Sequence, residues 1–144
     1  MKITVVQTNS MHDKARNIAQ AREGSYDARR LEGLPPEWHR RHILPAPAAG
    51  RVQVGPGVRL LTTFKQHNLC GDLWPIPFQD VIVCQNVLIY FRRADQLRVL
   101  NRLYDTLRPG GYLLVGATEL PTVPIRPGVT PSRVGGTLAY HRAV

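Results

Sequence analysis

Three asparagines and one tyrosine are the side chains of this sequence whose type and spacing could bind a ligand. Asn9, Asn68 and Asn86 each follow, within a few residues, an apolar run that predicts a β-strand. Tyr90 comes four residues after Asn86. Ligands bind at the carboxyl ends of strands in an open α/β sheet, where an amide can both donate and accept hydrogen bonds. The alternative is structural, with Asn86 closing a strand–helix turn and Tyr90 packed in the core.

The stretch 80–91, DVIVCQNVLIYF, is the clearest of these strand ends. Its unbroken apolar run from Val81 to Cys84 is typical of a central parallel strand buried on both faces. An amphipathic helix is predicted after it, because Leu97, Leu100, Leu103, Tyr104 and Leu107 fall on one helical face. Arg108–Gly111 is expected to end this helix, and Tyr112–Val115 to form the next buried strand.

The rest of the chain supplies the elements that must position these residues. The predictions are a strand at Ile3–Val6, a helix from about Asp13 to Arg22, a short helix at Glu37–Ile43, one or two short strands containing Val52, Val54 and Val58, a strand at Leu60–Lys65, a Pro-rich loop at Pro121–Pro131 and a final strand at Gly135–His141. Helices and strands that alternate in this way predict an α/β sheet.

Composition narrows the classes of protein that fit. A chain of 144 residues has the length of a single domain. Its two cysteines are expected to be reduced thiols, as in a cytoplasmic protein, and no metal site is expected. No apolar run is long enough to cross a membrane. The formal charge of +9 could indicate a nucleic-acid partner, but the sequence has no recognisable nucleic-acid motif. We therefore expect no nucleic acid and interpret the charge as a solvated, Arg-rich surface.

Two sequence blocks carry a resemblance to a known family. CQNVLIYF, then a helix, then LRPGGYLLVGATE is similar to the chemotaxis receptor methyltransferases of the CheR type. These enzymes transfer a methyl group from S-adenosyl-L-methionine to glutamate side chains of receptor proteins. The resemblance covers nearly the whole chain, 1–144. It implies a class I methyltransferase sheet of the Rossmann-like kind, with a small β-subdomain at about residues 44–61 that helps to dock receptor tails.

The resemblance also implies roles for individual residues. Asn68 and Leu69 match a pair near the adenine of the cofactor, and Gln85 and Asn86 match a pair at the end of the fourth strand. Asn9 takes the place of the acid that holds the ribose hydroxyls. Tyr90 matches a tyrosine that is proposed to act near the methyl transfer. The expected partner is a methyl-accepting receptor or another signalling protein.

Several departures from the family pattern lead to an alternative function. Asn9 replaces an acid, Gln85 replaces an arginine, and the Gly-rich loop and first strand of the family are absent from this sequence. The chain is thus expected to be N-terminally truncated. Since the first strand is central, the sheet must close over the gap, borrow a strand from another chain or remain marginal. The alternative is therefore a catalytically inactive, methyltransferase-like module that binds a partner protein.

Overall fold

The structure, a computed structural model, describes residues 3–6, 19, 21–65, 67–71, 78–116, 119, 126–135 and 137–144. The strands are β1 (Ile3–Val6), β2 (Ser25–Asp27), β3 (Ile43–Pro45), β4 (Arg51–Val54), β5 (Gln79–Cys84), β6 (Leu107–Val115), β7 (Val129–Val134) and β8 (Thr137–Arg142). The α-helices are α1 (Pro36–His42), α2 (Pro56–Leu60) and α3 (Arg93–Thr106). Short 3₁₀ helices span Ala28–Leu31 and Leu88–Tyr90. The chain divides into two compact units, one formed by Met1–Thr8 with Asn68–Val144 and the other by Asn9–His67.

The first unit contains a five-stranded sheet in the order β1-β5-β6-β8-β7. Strands β1, β5 and β6 run parallel, and β8 and β7 continue the sheet antiparallel. In the register of the parallel strands, Val6 pairs with Cys84 and Cys84 with Val115. The carboxyl ends of these three strands therefore lie side by side at one edge. This α/β sheet confirms the predicted fold class.

Strand β1 pairs directly with β5, from Ile3 beside Val81 to Val6 beside Cys84. In the described sheet no strand lies between β1 and β5. Direct pairing supplies β5 with the backbone partners that a buried strand requires, since an unpaired buried N–H or C=O costs about 1–3 kcal/mol.

Helix α3 packs on this sheet and contributes four residues to the buried apolar cluster. The predicted helix is confirmed, except that Leu107 of the predicted face lies in β6. The buried residues of α3 include Val99, Leu100, Leu103 and Tyr104. They belong to the same apolar cluster as Ile82, Leu88 and Leu113 of the sheet and its loop, all of them fully buried. The ring of Tyr104 meets that of Tyr140 edge to face, with centroids 6.3 Å apart.

Strand β6 begins earlier than predicted, directly after α3 ends at Thr106. The residues from Arg108 to Gly111 do not form a separate turn but are part of the strand, next to an irregularity in its pairing with β5 between Gln79 and Val81. A Cβ atom at Gly111 would lie 2.9 Å from the carbonyl oxygen of Arg108 and 3.1 Å from that of Asp80. Glycine is thus what allows the two backbones to approach here.

The prediction of a loop up to Pro131 is wrong from Val129 onward, because Val129–Val134 forms β7. This strand lies at the end of the sheet and pairs only with β8 among the described strands. Pro131 has no backbone N–H to donate to a neighbouring strand, but β7 is an edge strand, and on its open side no such hydrogen bond is needed. The predicted final strand is confirmed as β8, Thr137–Arg142.

The second unit contains a three-stranded antiparallel sheet in the order β2-β4-β3. Its strands at Ile43–Pro45 and Arg51–Val54 overlap the range 44–61 expected for a β-subdomain, and Ser25–Asp27 adds a third strand. The short helix predicted at Glu37–Ile43 is confirmed as α1. The helix predicted from Asp13 to Arg22 lies largely outside the described residues.

Two strand predictions in this unit are wrong. Val58 lies in α2 and not in a strand, and α2 continues to Leu60, where a strand to Lys65 was expected. Pro56 occupies the first turn of α2, where its fixed φ favours a helix and its missing N–H is no loss. Leu60 and Leu61 are 86% and 87% exposed, so their apolar character reflects no buried strand.

Candidate functional site

Gln85 and Asn86 form the tip of β5, and both are exposed at the carboxyl edge of the parallel strands. Asn86 adopts a φ of 56°, in the left-handed region. Asparagine tolerates that region better than most residues, because its short polar side chain finds local hydrogen bonds there. The chain therefore turns sharply at Asn86, which closes the turn between β5 and the 3₁₀ helix that follows.

This turn is hydrogen-bonded to the buried carboxylate of Glu119, which follows the neighbouring strand β6. Its Oε1 accepts hydrogen bonds from the backbone N–H groups of Val87 and Leu88, at 2.8 and 2.6 Å. Its Oε2 accepts from the N–H groups of Asn86 and Gly116, at 3.0 and 2.9 Å. Glu119 is 1% exposed. We call Glu119 and these four N–H groups the Glu119 clamp.

The clamp joins the ends of two neighbouring strands. Asn86 follows β5 and Gly116 follows β6, so the carboxylate connects the two strand ends at the proposed ligand edge. A Cβ atom at Gly116 would lie 2.6 Å from Oε2 of Glu119, which is why glycine is required beside the carboxylate. Burial, reinforced by the charge of Glu119, raises the pKa of the neighbouring Cys84 thiol from 9.0 to about 12. Cys84 and Cys70 are both free cysteines, as expected.

Tyr90 ends the short 3₁₀ helix that the clamp begins. Val87 and Leu88 donate to Glu119 at its start, and at its end Gln96 of α3 donates to the carbonyls of Leu88 and Phe91, at 3.0 and 3.1 Å. Tyr90 is 65% exposed, so the alternative in which it packs in the core is wrong. Its phenol is presented to solvent by a turn that is anchored at both ends.

Asn68 and Leu69 lie on a second turn of the same unit. The side-chain oxygen of Asn68 accepts from the N–H of Cys70 at 3.1 Å, and the carbonyl of Asn68 accepts from Gly71 at 3.0 Å. Leu69 is buried in the core cluster that also contains Cys84, Val87 and Leu88. Arg102 of α3 donates to the carbonyls of Leu69 and Gly71 and anchors the turn to the helix.

Asn9, the remaining predicted contact, lies outside the described residues. The convergence of Asn9, Asn68 and Asn86 on one crevice therefore stays a prediction. A depression of about 490 Å³ lies elsewhere, in the second unit, where Ser25 and Arg51 are among its lining residues. These two side chains hydrogen-bond to each other, so their polar groups already have partners. The tip of β5 is accordingly the better candidate site.

Neither a metal site nor a membrane-spanning helix is present among the described residues. In that part of the chain no group of three or more histidine, cysteine, aspartate or glutamate residues could hold a metal ion. None of the helices there is both long enough and apolar enough to span a bilayer.

The parallel strands, the covering helix and the polar strand tips define the class of protein, a Rossmann-like methyltransferase fold. The family model described as "CheR methyltransferase, SAM binding domain" matches residues 5–127. The chain belongs to this family, as the resemblance implied, and S-adenosyl-L-methionine is the cofactor of the family.

Similar proteins carry chemotaxis names. The chain is 40% identical over 103 residues to a chemotaxis protein methyltransferase of Vibrio parahaemolyticus, a match that covers 71% of this chain and 37% of that protein. It is 39% identical over 102 residues to chemotaxis protein methyltransferase 2 of Pseudomonas aeruginosa, covering 69% of this chain and 36% of that protein. A probable chemotaxis protein methyltransferase of Rhizobium etli is 35% identical over 105 residues, with 71% and 39% covered. The chain thus matches little more than a third of the length of these relatives.

The described residues fit the nucleoside half of the cofactor. Gln85, Asn86 and Asn68 are exposed and present neutral amide groups, which suit the nitrogens of adenine and the hydroxyls of ribose. Leu69, next to Asn68, is 8% exposed and supports the turn of Asn68 from the core. The fit is therefore to the adenosyl group.

Sequence analysis missed two residues that shape this site, Glu119 and Gln96. Glu119 is the last residue of the LRPGGYLLVGATE block, yet it lies 33 residues from Asn86 in sequence. Gln96 is on the polar side of the helical pattern, where a surface role is the default. The one available signal was that Glu119 ends a family block as its single acidic residue.

Proposed function

We propose that this chain supplies the adenosyl-binding part of an S-adenosyl-L-methionine-dependent methyltransferase, which methylates glutamate side chains of chemotaxis receptors. The observation that carries the proposal is the Glu119 clamp, which fixes the backbone of Asn86, next to the exposed Gln85, at the carboxyl edge of the parallel strands. The match to the SAM binding domain family and the chemotaxis names of the relatives support it. A cytoplasmic location stays a prediction.

Each predicted contact has a role in this proposal. Asn86 and Gln85 hydrogen-bond the nucleoside at the end of β5, and Asn68 and Leu69 bind beside the adenine. Asn9 is proposed to hydrogen-bond the ribose. As a neutral amide, it would bind less strongly there than a carboxylate, whose hydrogen bonds are charge-assisted.

The chemistry requires alignment more than proton transfer. When bound, S-adenosyl-L-methionine supplies an electrophilic methyl group on a positively charged sulfur. The acceptor glutamate is already ionised at neutral pH, so no general base is needed. The phenol of Tyr90, exposed on its anchored turn, is proposed to donate a hydrogen bond to the acceptor carboxylate and hold it in line.

The test is isothermal titration of the chain with S-adenosyl-L-methionine, together with Asn86→Gly and Glu37→Gln. Asn86→Gly keeps the left-handed backbone but removes the amide, and we expect it to weaken binding about tenfold, as for one lost hydrogen bond to a ligand. Glu37 is exposed in the second unit, and its variant should bind like the parent. No binding by the parent at millimolar cofactor would refute the proposal for this chain.

A second function is favoured by one observation, the direct pairing of β1 with β5. A sheet that closes in this way leaves no place for a further strand between them, which suits a methyltransferase-like module that binds a partner protein without catalysis. The exchanges Asn9 and Gln85 point the same way. Methyl transfer from labelled cofactor to a receptor fragment by the purified chain would rule this alternative out.

A further inference from the structure

We infer that Glu119 is a positioning residue for ligand binding at the carboxyl edge of the parallel strands. Its buried carboxylate fixes the backbone of Asn86 and thereby orients the Asn86 amide toward the nucleoside. The inference rests on the proposed function. It assigns to Glu119 a role in affinity for the adenosyl group, in addition to its part in the fold. Glu119 itself is 1% exposed and is not proposed to touch the ligand.

The first step of the argument is geometric. Three consecutive N–H groups, those of Asn86, Val87 and Leu88, point at one carboxylate, at distances from 2.6 to 3.0 Å. A left-handed residue followed by a right-handed one turns successive N–H groups toward one side, and Asn86 (φ 56°) and Val87 (φ −114°, ψ −47°) form such a pair. The clamp and the left-handed conformation of Asn86 therefore depend on each other.

The second step concerns what the turn would do without the carboxylate. The 3₁₀ helix Leu88–Tyr90 has no cap from the side chain of its own N-cap residue, Val87. The N–H groups of Val87 and Leu88 donate to Glu119 instead, and both residues are fully buried. If the carboxylate were lost, these donors would have to turn toward water, because a buried unsatisfied N–H is costly. That movement would displace the neighbouring Asn86.

The third step concerns the cost of the arrangement. A buried carboxylate is expensive to desolvate, and a neutral side chain could cap one or two N–H groups at lower cost. A carboxylate offers two oxygens with about four acceptor positions, and the clamp uses both oxygens to tie β5 to β6. Rigid support of this kind is what a ligand-binding amide requires, since binding strength depends on pre-organised groups.

The experiment titrates S-adenosyl-L-homocysteine into the chain and into Glu119→Gln, Asn86→Gly and the double variant. A glutamine cannot accept at both ends, so two of the four N–H groups lose their partner. We expect Glu119→Gln to weaken binding about tenfold or more. Glu37→Gln, the same exchange at an exposed site, should leave the affinity unchanged.

The double variant separates positioning from general stability. If Glu119 acts through Asn86, Asn86→Gly will weaken binding in the parent but have little further effect once Glu119 is glutamine. Effects that multiply independently would overturn the inference. So would a Glu119→Gln variant that binds as tightly as the parent. A parent that fails to bind refutes the proposed function itself, which is a different result.

Should Glu119→Gln fail to fold, Gly116→Ala gives a second route to the same answer. Its new Cβ would meet Oε2 of Glu119 at 2.6 Å and displace the carboxylate without altering its charge. Gly33→Ala is the matched control, because a Cβ at Gly33 meets nothing within 4 Å. We expect Gly116→Ala, and not Gly33→Ala, to weaken S-adenosyl-L-homocysteine binding, together with faster hydrogen exchange at the amides of Val87 and Leu88. Unchanged binding and exchange would overturn the inference.

Discussion

The five-stranded sheet of the first unit covers a continuous apolar core, whereas the described residues of the second unit bury no large apolar side chain. In the second unit the contacts are polar. Arg51 bonds both the hydroxyl and the carbonyl of Ser25, and Gln53 and Arg59 bond the carbonyl of Glu23. In the first unit, polar contacts such as the Glu119 clamp and the bonds from Arg142 to carbonyls at the end of α3 accompany this apolar core.

The two sheets therefore differ in the interactions that stabilise them, and this affects what each can support. Apolar burial supplies most folding free energy, so the first unit can support a buried carboxylate and a strained turn at its edge. The three-stranded sheet depends on hydrogen bonds that each contribute about 1 kcal/mol. Substitutions should therefore have unequal effects in the two units.

The largest expected effect is in the core of the first unit. Leu103 is 1% exposed and packs from α3 onto the sheet, so Leu103→Ala should lower the free energy of unfolding by about 3 kcal/mol. Leu61→Ala, at 87% exposure in the second unit, should change it by less than about 0.5 kcal/mol. Urea denaturation measures both. Equal losses would show that Leu61 is buried in solution and that the contrast between the units is wrong.

A smaller loss is expected when the clamp is disturbed. Glu119→Gln should lower the free energy of unfolding by about 2 kcal/mol, because buried backbone donors lose their acceptor. The matched exchange Glu37→Gln removes a negative charge from the exposed first turn of α1 and should cost less than about 0.5 kcal/mol. Thermal and urea denaturation of the two variants make the comparison. A Glu119→Gln variant as stable as Glu37→Gln would mean that the four N–H groups find other partners.

The polar contacts of the second unit are tested by Arg51→Gln. This change removes the bonds from Arg51 to Ser25 at 2.9 and 2.7 Å, and we expect it to cost about 1 kcal/mol. Hydrogen exchange should speed up at the amides of β2 and β4 and stay unchanged in β5. Arg40→Gln, an exposed exchange on α1, serves as the control. Faster exchange in β5 as well would argue against separate stabilisation of the two sheets.

The smallest effect is a pH dependence in the first unit. Burial raises the pKa of Cys84 from 9.0 to about 12, so the folded state favours the neutral thiol. Its contribution to stability is complete below pH 9.0 and is lost as the pH rises from there toward about 12. Half a pH unit above 9.0 the loss should be about 0.8 kcal/mol. Urea denaturation across this range should show a steeper decline for the parent than for Cys84→Ala; parallel curves would contradict the prediction.

Local sequence patterns correctly predicted those helices and strands whose type is set by the spacing of their own side chains. The β-branched run at Val81–Val83 and the leucine spacing of α3 each fit one kind of element, and both elements are confirmed. Burial on both faces is not, because Val81 and Val83 are only half-buried. Leu60–Lys65 failed because an apolar pair next to a proline-started helix resembles a strand in sequence. β7 was missed because Pro131 argues against a strand unless the strand is known to lie at an edge.

In the candidate site, too, some features follow from the sequence and others only from the tertiary structure. Sequence alone determined that amides follow a buried strand at Gln85 and Asn86, and that Tyr90 comes one turn later, because these are neighbours along the chain. Only the tertiary structure decided that Glu119 meets Asn86 across 33 residues, that Gln96 anchors the turn of Tyr90, and that β1 lies against β5. Such contacts depend on how strands and loops are brought together in space, and no local pattern of residue types records that.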